Sequence, residues 1–190
     1  IAAQFAYDSV MLVLRLRAPT NARAFQFSGY FISSEYPEFV CSHFNDQLVA
    51  LVDTPGGAPV GVVNPPDKNL MTYFNGGRSW PIGINMAKGT SLFRVCEPEA
   101  WSPACWNPNT SPLSCGLGTG DLAGTGYERG NGCLNGGGTG WLVTSGNVRP
   151  GEIVELRIAL WDVGDTGHDS IALLDGFKWL ENPTLPGTTD

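Results

Sequence analysis

From Val154 the chain alternates, with Val154, Leu156, Ile158 and Leu160 on one side and Glu155 and Arg157 on the other. A period of two marks a strand with one buried face, because successive side chains in a strand point to opposite faces. A second apolar run at 171–174 leads on to Phe177 and Trp179. Between the two lies Asp162-Val-Gly-Asp165-Thr-Gly-His168-Asp169-Ser170. Asp162, Asp165 and Asp169 fall within eight residues. Carboxylates that close repel one another unless something positive joins them. Residues 151–179 therefore read as two strands joined by an acidic loop, and the loop suggests a cation.

The rest of the chain continues in strands. Residues 9–17 (SVMLVLRLR) put Val10, Leu12, Leu14 and Leu16 on one face. Residues 24–32 put Phe25, Phe27 and Phe31 together, and 47–53 (QLVALVD) form a third strand. Shorter strands are expected at 60–64, 71–74, 80–85 and 140–145, with Pro- and Gly-rich turns between them. Residues 33–46 mix polar and aromatic side chains, and Pro37 excludes a regular central strand there. No window of ~11 residues shows a helical period. Charged residues make up only 15%, with 25 Gly and 14 Pro, a composition that suits short strands and ordered loops. The expectation is an all-β chain, an antiparallel β-sandwich of jelly-roll type. It forms one domain over 1–182 with a loop insertion at 96–140, and 183–190 is a tail or linker.

The insertion is rich in Gly and Pro and carries Cys96, Cys105, Cys115 and Cys133, with Cys41 apart. There is no C-x-x-C pair, so zinc is poorly supported. Disulfides would order such a loop and imply an oxidising, extracellular setting. Four cysteines allow three pairings, and the fifth is left free or bonded to another chain.

Ca²⁺ takes six to eight oxygens from Asp, Glu, Asn and backbone carbonyls. The candidate ligands for a structural Ca²⁺ are Asp162, Asp165 and Asp169, together with Glu35 and Asp46 from the 33–46 segment. The spacing is not that of an EF-hand, whose final Glu is missing. Trp101, Trp106 and Tyr127 are candidate stacking residues for sugar rings, or fill a small core beneath the loop. Asp175-Gly176 breaks the last strand, and a bulge there would turn the carboxylate outward.

Catalysis has little support. His43 and His168 are the two histidines, and His168 beside Asp169 and Ser170 is not a triad. No G-x-S-x-G or H-E-x-x-H occurs, and nothing sets Glu35 and Glu38 across a cleft as a glycosidase pair. The glycine run at 116–121 lacks the strand, helix and Lys of a phosphate loop. A net charge of -7 disfavours nucleic acid and anionic lipid as partners. No apolar run reaches ~20 residues, so no membrane-inserted helix is expected. The chain opens in a strand pattern at Ile1, as a processed product or one domain of a longer polypeptide would.

The order of several pieces is familiar: Ser34-Glu35-Tyr36-Pro37-Glu38-Phe39, then Phe44-Asn45-Asp46, then Trp161-Asp162 through Asp169-Ser170 to Leu174-Asp175. Together they make most of the chain resemble the choice-of-anchor L domain of bacterial surface proteins. The Cys-rich insertion departs from that pattern. The resemblance implies an exported, non-enzymatic β-sandwich. The expected function is an extracellular structural or adhesive module at a bacterial cell surface or in a matrix. It would assemble with copies of itself into a filament or layer. The alternative is a Ca²⁺-dependent carbohydrate-binding module that takes a surface polysaccharide.

Overall fold

A computed structural model describes residues 5–54, 63–97, 114–129 and 136–190. Among the described residues the regular structure is nearly all strand, with short 3-10 turns and no α-helix. No helix among them is long and apolar enough to cross a membrane.

Alternation sets which face of each strand is buried. β1 (Ala6–Arg17), β3 (Gln47–Asp53) and β8 (Ile153–Val163) form an antiparallel three-stranded sheet in the order β1-β8-β3. Its inner face carries Leu48, Ala50 and Val52 from β3 and Val154, Leu156, Ile158 and Leu160 from β8, all buried. β1 sets Val10, Leu12, Leu14 and Leu16 opposite Leu160, Ile158, Leu156 and Val154, so these four share that inner face.

The second sheet is built on β2 (Ala24–Ser33). β7 (Leu142–Asn147) and the short β6 (Gly137–Gly138) pair along one side of it, and β9 (Ser170–Leu180) along the other. Phe25, Phe27 and Phe31 of β2 point into the shared core, while Tyr30 and Ile32 on its other face join Val95 and Leu122 in a smaller cluster. β4 (Thr72–Asn75) and β5 (Arg78–Pro81) close the far edge as a hairpin. Its Gly76 and Gly77 have φ of 57° and 75°, which a tight two-residue hairpin turn requires of its central residues.

Three expectations change. The strand at 80–85 is instead the end of β5 followed by a 3-10 turn at Ile84–Lys88. The strand at 60–64 falls largely outside the described residues, and its described end at 63–64 is not strand. The tail at 183–190 is not a linker. β10 (Gly187–Thr189) lies between β4 and β7 in the second sheet, and Thr188 is buried there. Its hydroxyl donates to the Leu70 carbonyl at 2.9 Å, and Asn147 clasps Thr184 through two side-chain hydrogen bonds. A polar, Pro-flanked segment gave no apolar signal, yet its hydroxyl and backbone groups find partners inside the sheet.

The bulge at Asp175-Gly176 is present: the β2–β9 register slips by one residue there, Gly176 has φ 64°, and Asp175 is exposed. Within the insertion, Cys96 bonds to Cys115, while Cys105 and Cys133 lie outside the described residues. Cys41 is free and exposed. The bond closes a loop of sequence separation 19, for which chain entropy gives about 3 kcal/mol. Cys96→Ala with Cys115→Ala is expected to lower unfolding stability by that order in urea titration. An unchanged midpoint would show that the bond constrains nothing the unfolded chain explores.

Candidate functional site

Three strand ends meet at one end of the sandwich. On β3 the inward positions run back from Val52, Ala50 and Leu48 to Asp46. On β8 they run forward from Leu160 to Asp162, which the strand still contains. Gln47 pairs with Trp161, so one step further on brings Asp46 opposite Asp162 on the inner face. Glu35 enters from just beyond the end of β2. Carboxylate oxygens of Glu35, Asp46 and Asp162 all lie within 4.8 Å of one another. Their residues are 0%, 0% and 5% exposed.

The hydrogen bonds around the triad are unevenly shared. Asp46 is well held: Val163 N–H donates to its Oδ1 at 3.1 Å and the Ser170 hydroxyl to its Oδ2 at 2.5 Å. Asp46 N–H in turn donates to Glu35 Oε2 at 3.3 Å. Glu35 Oε1 and both oxygens of Asp162 are buried, and no described residue outside the triad donates a hydrogen bond to them. Burial, and then the charge of Asp46, pushes Glu35 up to about 9, while burial, and then a hydrogen bond shared with Asp46, pushes Asp162 up to about 7. Burial also raises Asp46, against the hydrogen bonds that favour its charged form. Three carboxyls this close in a low-dielectric site either keep protons or share a cation.

The structure sorts the expected ligands. Asp162, Asp46 and Glu35 come together. Asp165 and Asp169 stay outside the triad. Asp165 Oδ1 accepts from Gly167 N–H at 2.7 Å and caps its own turn. The exposed Asp169 uses its backbone carbonyl to accept from Ser34. The acidic loop therefore contributes through its first residue, which is strand rather than loop. Ser170, whose hydroxyl fixes Asp46, was not singled out from the sequence. Tyr127 is half-buried and packs on the small cluster with Tyr30 and Ile32. Trp101 and Trp106 lie outside the described residues. The histidine rings lie against aromatic ones, His43 on Phe44 and His168 on Phe39.

Two cavities follow the open side of the sandwich. One of about 280 Å³ reaches Asp162 and is lined also by Asp8, Tyr127, Asp169 and Ser170. The next, of about 270 Å³, runs between β1 and β9 over Val10, Leu12, Ile158, Ala172 and Leu174. Here β1 edges one sheet and β9 the other. Val10 and Leu12 face inward, yet they are 61% and 45% exposed. Leu174, opposite Gly29 on β2, is 37% exposed. Comparison with family models, characterised proteins and solved structures finds no match to this chain.

Proposed function

We propose that this chain is a non-enzymatic, extracellular structural module that assembles with copies of itself through the open side of its sandwich. The observation that carries this is the exposure of Val10 and Leu12, which point toward the core but face an open cavity with no described residue packed over them. An apolar edge strand with free backbone groups invites pairing by another strand. The other edge of its sheet does not, because β3 bonds to residues 68–70 and to Ile82.

Charge along β1 favours a second copy as the occupant. Asp8 stands near one end, and Arg15 and Arg17 stand at the other. Two β1 strands pairing antiparallel about Leu12 bring the acidic end of each over the basic end of the other. Val10 and Leu12 of both copies then cover the gap beside β9. Such a contact is isologous and self-complementary, the usual form of a two-fold interface. The Cys96–Cys115 bond supports an oxidising, extracellular setting, and the resemblance to choice-of-anchor L domains points the same way.

Sedimentation velocity tests this. The chain is expected to shift to larger species with concentration, and Leu12→Lys to remain monomeric, since pairing would set two ammonium groups against each other. Leu12 is already 45% exposed, so the substitution removes little buried surface from the monomer. A wild type that stays monomeric at ~100 μM, or a Leu12→Lys protein that associates as the wild type does, would overturn the proposal.

A further inference from the structure

We infer that Glu35, Asp46 and Asp162 form a site for one divalent cation of the Ca²⁺ class, which ties the exit of β2 to the start of β3 and the end of β8. The cluster alone would not carry this. The second observation is Asp162, 95% buried by its 5% exposure, neither of whose oxygens accepts a hydrogen bond from a described residue outside the triad, and one of which lies among the other carboxylates. Glu35 Oε1 likewise has no such donor. In a native core such groups are hydrogen-bonded, paired or bound to metal.

Donor type and number choose the class. All the donors are carboxylate oxygens, which suit hard cations. They lie within 4.8 Å of one another, close enough to share one ion. Three protein carboxylates suit Ca²⁺ better than Mg²⁺, which keeps several waters and is usually held through one or two carboxylates. These oxygens leave the ion short of six to eight ligands, and the cavity reaching Asp162 has room for water to complete the shell. The hydrogen bonds from Val163 N–H and the Ser170 hydroxyl hold Asp46 in place beforehand. This inference does not depend on self-assembly, because the site lies within one chain.

The test is calorimetric titration and thermal denaturation of the full chain, stripped with a chelator and dialysed, with CaCl₂ as the probe. One site is expected. At a hundredfold excess over its dissociation constant, Ca²⁺ should raise the thermal midpoint by ~5–10 °C. Asp162→Asn is expected to act with opposite signs in the two conditions. It should raise the midpoint in chelator, because one of three crowded carboxyls is gone, and it should abolish the response to Ca²⁺. Glu35→Gln should repeat that pattern, and Asp175→Asn, at the exposed bulge, should leave the wild-type response intact. No heat and no shift with the wild type up to ~10 mM CaCl₂ would overturn the inference. So would an Asp162→Asn protein that responds as the wild type does, or a MgCl₂ response equal to that of CaCl₂.

Discussion

In the presence of a chelator, the stability of this protein is expected to fall as pH rises from about 5 to about 9. This is the reverse of what surface carboxylates in salt bridges produce. Glu35 is raised from 4.5 to about 9 and Asp162 from 3.8 to about 7. The unfolded chain has the ordinary values, so across this window the folded state holds protons that the unfolded state has released. Stability then declines with pH, because its slope follows the protons bound by the unfolded state minus those bound by the folded state. The contribution is full below the unfolded pKa values and is lost once pH passes the folded ones. Burying a carboxylate without a partner costs several kcal/mol, so the total loss should be on the order of a few kcal/mol. Urea midpoints measured at half-unit pH steps would show it. Glu35→Gln should flatten the upper part of the curve. A stability that climbed over the same range would mean that the triad faces a positive charge in the protein itself.

The second large effect is expected at Phe31. Its ring is fully buried near the C-terminal end of β2, the strand paired on both sides in the larger sheet. It meets Phe93 edge-to-face at 6.0 Å between centroids, and Phe93 stacks on Tyr36 at 4.3 Å. Phe31→Ala removes the ring from a site that the flanking strands prevent from collapsing, which costs ~3–5 kcal/mol. Against a usual total of ~5–15 kcal/mol, that loss takes much of the stability. Phe74→Ala is the contrast: Phe74 is 59% exposed, and its loss should stay within ~0.5 kcal/mol. Denaturant unfolding of the two variants measures the difference. A cost below ~1 kcal/mol at Phe31 would mean that its aromatic contacts through Phe93 to Tyr36 contribute little to the core.

Alternation in the sequence was enough to place the long strands and their inward faces. Phe25, Phe27 and Phe31 are core, and so are Val154, Leu156, Ile158 and Leu160. It also held more than a strand boundary drawn at Leu160 suggests. Carried one step on, the same alternation puts Asp162 on the inner face, and carried one step back from Leu48 it does so for Asp46. A carboxylate that continues an apolar face was the legible sign of the site. Asp165 and Asp169 drew attention because they crowd together in sequence, but proximity along a loop does not bring side chains together in space.

Tertiary structure alone decided the meeting of the three carboxyls. Opposition of Asp46 and Asp162 depends on the register of two strands more than a hundred residues apart, and Glu35 comes from a turn with no period to read. The gap beside β1 is of the same kind. Its side chains carry an ordinary inward pattern, and only the placement of β9 on the other sheet leaves them uncovered. The C-terminal strand is held by hydroxyl and amide partners that no local pattern announces. A residue's neighbours in the chain record which face it turns to the core. What it meets there is set by the packing and register of the whole molecule, and that is where the candidate site and the open edge arise.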